Sequence, residues 1–421
     1  MAPDQFSIAQ VADILGVSKE TLRRWDKNSS LVPRRDENNN YRYYHRSQIE
    51  HFEQAQMLFN SSWDEEHSVK PNRPYSLVEL FAGAGGLALG MEQAGFESKL
   101  LNELDKNACQ TLRYNRPNWN VCEGDISQLD FKKYYGTDVV SGGFPCQAFS
   151  YAGKKMGFED ARGTLFFEFS RAIKEIQPKI FVAENVRGLL NHDGGNTLEA
   201  IRNIIDELGY DLIEPRVLKA VFYKVPQKRE RLFLIGVRKD LSESFKFEWP
   251  SPYYKILTLR DVLKAGDLYQ VDVPESPGQK YPERKKEILD LVPPGGYWRD
   301  LPDELQREYM QKSYFLGGGK TGMARRLSWD EPSLTLTCAP AQKQTERCHP
   351  EETRPLTVRE YARIQTFPDA WQFCGSQSAQ YKQIGNAVPV NLATAVGRSL
   401  VRSLNLLLSK DKSHYIESTQ A

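Results

Sequence analysis

From Tyr75 onward the chain alternates short apolar runs with amphipathic stretches, and that rhythm limits the possible folds more than any other feature. Strands are predicted over 76–81, 98–102, near 119–122, at 139–140, over 180–183, near 211–218 and over 232–237. Helices are predicted between them over 87–94, 108–114, 165–176 and 197–208. Strands that alternate with helices of this length imply crossover connections, so the expectation is α/β with a parallel, doubly wound sheet. Open sheets of this kind bind ligands outside the carboxyl ends of their strands. The residues following each strand are therefore the first place to look for chemistry.

The most informative of those ends is Ser141-Gly142-Gly143-Phe144-Pro145-Cys146-Gln147-Ala148-Phe149-Ser150, a cysteine loop that runs on to Arg162-Gly163-Thr164. Pro145 stiffens the chain before the cysteine, and the glycines permit close backbone approach to a ligand. A lone cysteine is usually a small buried hydrophobe. Here three other stretches suit the same chemistry: the turn Phe81-Ala82-Gly83-Ala84-Gly85-Gly86, Glu184-Asn185-Val186, and Gln227-Lys228-Arg229-Glu230-Arg231. The six cysteines, at 109, 122, 146, 338, 348 and 374, have no CxxC spacing. That argues against a zinc site and a disulfide framework and for a reducing, cytoplasmic location, where a thiolate nucleophile survives. No secretion signal and no apolar run of membrane-spanning length are found, so no membrane association is expected.

Gly83-Ala84-Gly85-Gly86-Leu87 fits a dinucleotide fingerprint, and Glu103 lies about twenty residues on, where a ribose-binding acid belongs. Taken alone, that pattern suits a nicotinamide cofactor as well as S-adenosylmethionine. Glu184 follows an apolar strand and Val186 lies two residues on, so apolar flanks predict burial, and buried acids are seldom unpaired.

In order and in content, these stretches resemble the DNA cytosine-5 methyltransferases, over residues from about 75 to about 401. The resemblance implies a Rossmann-like, S-adenosylmethionine-dependent methyltransferase domain. Cys146 is implied as the nucleophile, with Pro145, Glu184, Asn185, Arg229 and Arg231 in the catalytic group, Arg231 reaching the target base. Phe81, Ala82, Gly83, Gly85, Gly86 and Leu87 are implied as the turn holding the methionine part of the cofactor. Glu103 is implied at the ribose hydroxyls, Leu104, Asp125 and Ile126 at the adenine, and Gly143, Pro145 and Leu165 elsewhere on the cofactor. Gln383-Ile384-Gly385-Asn386-Ala387-Val388-Pro389 matches the family's last motif, which implies Asn386, Ala387 and Val388 beside the methionine end. The family often has an aromatic where Leu104 stands.

Residues 6–52 form a separate pattern. Ile8, Val11, Ala12 and Leu15 have helical spacing, Gly16-Val17-Ser18 is a turn, and Ser18 can cap a second helix carrying Lys19, Arg23 and Arg24 outward. Tyr41-Arg42-Tyr43-Tyr44 after Asn38-Asn39-Asn40 reads as a wing. The unit resembles the winged helix-turn-helix of MerR-type regulators, which implies duplex DNA binding and a possible dimer through this unit. Assigned boundaries are 1–55 for this unit, 56–74 for a polar linker, 75–247 for the catalytic domain, 248–352 for a smaller irregular/β target-recognition domain, 353–408 for the segment closing the large domain and 409–421 for a frayed polar tail.

Net charge is only +1, so DNA contacts are sought locally. Gln147, Ser150 and Arg162 in the cysteine loop are candidates, as are Arg299, Lys320, Arg325 and Arg326 among the glycines and aromatics of 248–352. The Gly317-Gly318-Gly319-Lys320-Thr321 run lacks P-loop spacing. The reading is methyl transfer to C5 of a cytosine in double-stranded DNA, as the modification half of a restriction–modification pair with a cognate endonuclease and no metal. A tRNA cytosine-5 methyltransferase and a DNA-binding regulator with an inert core are the competing readings.

Overall fold

The computed structural model describes residues 4–37, 40–144 and 164–419, with side chains through residue 409. Pro145, Cys146, Gln147, Ser150 and Arg162 lie outside the described residues.

In the N-terminal unit, strand β1 (Gln5–Ser7) leads into helix Ile8–Leu15. Ser7 Oγ accepts from the Gln10 amide while Gln10 Oε1 accepts from the Ser7 amide at 2.8 Å, a reciprocal cap. Gly16, at φ +68°, ends that helix in the left-handed region. Ser18 then caps helix Lys19–Lys27 through the Thr21 amide at 3.0 Å, as the sequence suggested. Strands β2 (Arg34–Arg35) and β3 (Arg42–His45) form the wing. β1 joins it, giving an antiparallel three-stranded sheet in the order β1-β3-β2. The stretch read as a linker is helical over Glu53–Phe59 and Trp63–Ser68, where Leu58 and Trp63 are buried.

The large sheet starts with β4 (Tyr75–Leu80), β5 (Phe96–Glu103), β6 (Val121–Glu123), β7 (Val139–Gly142) and β8 (Ile180–Val186). These five are parallel in the order β6-β5-β4-β7-β8, so the chain reverses its direction of travel across the sheet beside β4. Beyond β8 the parallel expectation fails. Strands β9 (Tyr210–Leu212), β10 (Arg216–Lys219) and β12 (Glu230–Arg238) are antiparallel, with β12 against β8 and both β9 and β10 against β12. Helix Asn196–Glu207 carries the chain from β8 to β9, so β9 and β10 run with β8 and only β12 is reversed, because no crossover helix lies between β10 and β12. Two-residue strands β11 (Gln227–Lys228) and β13 (Ser333–Leu334) pair in parallel outside the sheet.

Side chains of successive residues in a strand point to opposite faces. On one face Leu77, Val139, Val182 and Ile235 pack with Met91 of helix Gly86–Ala94 and with Leu392, Val396 and Leu400 of helix Val390–Thr419. On the other, Val78, Val140, Phe181 and Leu234 pack with helices Leu165–Ile176 and Asn196–Glu207. The last helix continues to Thr419, past the predicted fraying point, because 409–419 contains no Gly or Pro to stop a helix already propagating.

Glu79 in the middle of β4 is 1% exposed, facing Ser141 Oγ at 3.3 Å and the Ala88 amide. Burial pushes its carboxyl up to about 8, against the pull of those two donors, so the fold holds it protonated at neutral pH. A folded-state pKa above the unfolded value means this group's stabilisation is present in acid and is lost as pH rises through about 8. Glu79→Gln is therefore expected to gain melting temperature over the wild type between about pH 5 and about pH 8. An unchanged gap between the two melting curves at both pH values would refute this.

The region 248–352 builds a core of its own from Tyr281, Leu289, Trp298, Tyr309, Met310 and Met323. Its regular structure is short helices such as Glu283–Asp290 and Asp303–Met310, and among the described residues its one strand is β13. The β content expected there is thus nearly absent. Arg363 of helix Val358–Ile364, fully buried, fastens this region to the large domain by donating to the carbonyls of Val262 and Val271 at 3.0 Å each.

Candidate active site

The carboxyl ends of β7 and β8 and the amino end of the antiparallel β12 converge on one acid–base pair. β8 runs three residues beyond the predicted strand because Glu184 and Asn185 pair with Phe233 and Leu232 of β12. Glu184 is 9% exposed, and Arg231 Nε stands 2.6 Å from its Oε1. The approach is out of line for a hydrogen bond, so this oxygen is buried and ion-paired without one. Burial raises the Glu184 pKa more than Arg231 and Arg229 lower it. Gly143 crosses directly over this carboxyl: a Cβ there would lie 2.9 Å from Glu184 Oε2, so the close approach requires glycine.

The stem of the cysteine loop is fixed from two sides. Phe144 is buried with its ring centroid 5.1 Å from Phe166 and 5.8 Å from Phe169. Asn185 Nδ2 donates to the Phe144 carbonyl at 2.9 Å, holding the peptide that leads into Pro145.

Arg229 departs from expectation. It is 1% exposed and donates to the Gly385 carbonyl at 2.9 Å and the Leu336 carbonyl at 3.2 Å, so it braces the site from behind and does not point into it. Burial, then repulsion from Arg231, brings its guanidinium down to about 9. The pairing of β11 with β13 draws Arg229 beneath the segment after β13, where carbonyls are free to accept. Gln227 beside it accepts from the Leu336 amide at 3.0 Å and donates to Gln365 at 2.8 Å. Gln365 in turn donates to the carbonyls of Ile384 and Ala387 at 2.7 and 3.0 Å. This buried chain ties the arginine motif to 383–389. Gln365 had no signal in the sequence beyond being a polar residue inside a helical pattern.

On the other side of β4, Phe81, Gly83 and Gly85 all take positive φ, at +58°, +55° and +86°, and form a tight turn. The Gly83 amide donates to Glu103 Oε2 at 2.7 Å, while Glu103 Oε1 accepts from the Leu104 and Asp105 amides at 2.8 and 2.7 Å. Leu104 is 72% exposed. Asp125 is exposed, and the Ser127 amide holds its carboxyl below the usual range. Space over Gly83 and Gly124 is open: a Cβ on either would meet nothing within 4 Å. Gly86 is the opposite case, since a Cβ there would fall 2.2 Å from the Val388 carbonyl oxygen. The segment 386–388 therefore lies against the glycine turn, with Asn386 exposed and Ala387 and Val388 buried. Leu165, at the start of its helix, is 37% exposed. Ala82, Leu87 and Ile126 are buried, and Ile126 packs with the core on the far face of the sheet.

The expected DNA contacts divide. Arg23 and Arg24 are exposed, as is Arg299, which lies over the Trp298 ring at 5.2 Å. Lys19 is paired with Glu331, and Lys320 donates to the carbonyls of Ser313 and Leu316. Arg326 corrects the expectation outright: it is 3% exposed and donates to the carbonyls of Val292 and Leu289 at 2.7 and 2.8 Å. Arg325 is half-buried, and burial lowers its pKa. Basic residues among glycines read as a nucleic-acid surface, but a buried guanidinium needs several acceptors, and only the folded loop reveals them.

Residues 75–402 match the family model of the C-5 cytosine-specific DNA methylases, and residues 6–62 match that of the MerR HTH family regulatory proteins. The Type II methyltransferase M.Eco47II of Escherichia coli is 70% identical over 406 residues, covering 96% of this chain and 97% of its own. M.PspPI of a Psychrobacter strain, also a Type II methyltransferase, is 66% identical over 405 residues, covering 96% and 97%. Among solved structures, a prophage-encoded protein of E. coli assigned as a DNA modification methyltransferase has 28% identity and a TM-score of 0.56, over 79% of this chain and 99% of that one. With a family match over most of its length and relatives this similar end to end, the chain belongs to the C-5 cytosine-specific DNA methylases.

Proposed function

We propose that the chain methylates C5 of a specific cytosine in duplex DNA through a transient bond between Cys146 and C6 of a flipped-out base. The observation that carries this reading is the buried Glu184–Arg231 pair at 2.6 Å, one strand away from the anchored stem of the Pro145-Cys146 loop. Cytosine C5 is a weak nucleophile. Addition of the Cys146 thiolate to C6 makes C5 enamine-like, which divides one hard step into easier ones. Charge develops on the ring as sulfur adds, and Glu184, whose proton affinity burial raises, donates to N3 and neutralises it. Arg231 faces O2 and orients the base. Asn185 positions the loop through the Phe144 carbonyl. After methyl transfer a base such as water takes the C5 proton, its electron pair forms the C5–C6 double bond as the sulfur–carbon bond breaks, N3 returns its proton to Glu184, and the thiolate is regenerated. A target inside a duplex is out of reach, so the base must leave the stack.

The methyl group comes from the sulfonium of S-adenosylmethionine, which supplies an electrophilic carbon. Open space over Gly83 and Gly124, the carboxylate of Glu103 and the exposed faces of Leu104 and Asp125 suit its ribose and adenine. Gly86→Ala forces its new methyl into the Val388 carbonyl and must displace 386–388. It is expected to cost about 1–3 kcal/mol of stability, as overpacked sites do, and to weaken cofactor binding. Calorimetric titration with S-adenosylmethionine and thermal melts read both; wild-type values in both would contradict the placement.

The matched relatives are Type II methyltransferases, which favours a modification role beside a cognate endonuclease. Residues 6–52 bind an operator-like site on this reading, and a footprint unchanged by deleting residues 1–60 would count against it. Incubating the chain with labelled S-adenosylmethionine and either duplex DNA or tRNA, then sequencing the modified product, tests the function. Label on duplex cytosine supports it, and label confined to tRNA defeats it.

A further inference from the structure

The helix-turn-helix unit is not on a loose tether. Val221 and Ile256 of the large domain are buried in the same apolar cluster as Phe6, Val11 and Leu15. Two ion pairs flank that seam: Asp13 with Lys228 at 3.0 Å, and Lys19 with Glu331. All four side chains are at most 35% exposed, so the pairs are partly shielded from solvent. Ser62 and Glu66 add hydrogen bonds to Ser251 at 2.8 and 2.7 Å.

This docking encloses a cleft of about 480 Å³ with the Gly16-Val17 turn on one wall and the ends of β8, β10 and β12 on the other. Its lining holds an excess of cations: Arg187 is paired with Glu230 at 2.9 Å, Lys228 with Asp13 and Arg231 with Glu184, while Lys219 has no carboxylate partner among these. Arg231 is the same side chain that pairs with Glu184, so the cleft opens beside the candidate catalytic pair. From the docking contact outward, Lys19, Arg23 and Lys27 succeed one another at four-residue intervals on helix Lys19–Lys27, and therefore form one stripe. The stripe runs about 12 Å along the helix at 1.5 Å per residue. Arg23 and Lys27 on it are exposed.

We propose that the N-terminal unit is a built-in wall of the methyltransferase's own DNA surface. The basic cleft takes the phosphodiester backbone next to the target cytosine, and Arg23 and Lys27 extend that surface along the flanking duplex. The inference rests on the methyltransferase reading and adds to it that the unit acts in the same complex as the chemistry. A tethered regulator would need neither the ion pairs nor the shared core.

The test uses the full chain and two target-site duplexes, one minimal and one extended by about one helical turn (~10 base pairs) on each side. The chain is expected to prefer the extended duplex. Arg23→Ala with Lys27→Ala should collapse that preference, on the order of tenfold, and lower the slope of log K against log salt by about 2, at roughly 0.9 for each phosphate no longer neutralised. Glu331→Lys should also reduce the preference by loosening the docking, and adding Lys19→Glu should restore it by rebuilding the pair reversed. Overturning results are equal affinity for both duplexes, a flank preference untouched by the double alanine, or failure of the reversed pair to restore it in a chain that melts normally. Methyl transfer to the minimal duplex separates the two readings: its absence in the wild type defeats the methyltransferase assignment, while its presence without any flank effect defeats this inference alone.

Discussion

Cys146→Ser is expected to lose methyl transfer by a factor on the order of 10⁴ or more, the scale seen when a covalent nucleophile is removed. A serine hydroxyl is too weak an acid to provide an anion at neutral pH beside this loop, and the two buried thiols, Cys109 and Cys348, are poor substitutes. Burial pushes the Cys109 thiol up to about 12 and the Cys348 thiol up to about 11, so both stay protonated inside the fold. Cys338 is exposed but donates to Asn386 Oδ1 at 3.2 Å, on the side where 386–388 meets the glycine turn. The serine variant should retain its melting temperature and duplex affinity. Single-turnover methyl transfer measures the loss, and a fall of less than tenfold would place the nucleophile elsewhere.

Glu184→Gln is expected to lower kcat by about 10²–10³, the range for removing one preorganised donor of transition-state charge. The amide keeps the shape but cannot hand a proton to the ring. Its pH profile is the sharper readout. Burial raises the Glu184 pKa, so the protonated, active form is present at lower pH and is lost as pH rises through that raised value. The wild type should therefore show a falling alkaline limb opposed to the rising limb of thiolate formation. In the glutamine variant the falling limb should vanish while the rising limb stays. An alkaline limb identical in both proteins would assign it to another group.

Residue patterns made the parallel half of the sheet legible because largely apolar strands and amphipathic helices alternate there. They failed where tertiary partners override local pattern. Glu184 and Asn185 interrupt an apolar run, so they read as the loop after a strand, yet β12 supplies the backbone partners that keep them in it. Glu79 sits in mid-strand with no local mark of burial, yet β7 and the helix after the glycine turn cover it. The arginine pair shows the same limit at the site. Arg229 and Arg231 are two residues apart and chemically alike. One is cradled by the carbonyls of Leu336 and Gly385, from segments more than 100 positions away in the chain, and the other is left to meet Glu184. Family resemblance named both as active-site residues; the fold gives them different work. The docking of the N-terminal unit had no local signature either: Lys19 reads as a DNA contact, and nothing in the sequence pairs it with Glu331 or Asp13 with Lys228.

The covalent bond proposed between Cys146 and the target base can be trapped directly. A duplex carrying 5-fluorocytosine at the target position offers no C5 proton to lose, so once methyl transfer has occurred the sulfur–carbon bond has no route to break. Incubated with S-adenosylmethionine, the chain should become fixed to this duplex and migrate as one species on a denaturing gel, with the crosslinked peptide containing Cys146. Cys146→Ser should give no such species. Full methylation of ordinary duplex without any trapped complex on the fluorinated one, or a complex mapped to another residue, would contradict the account.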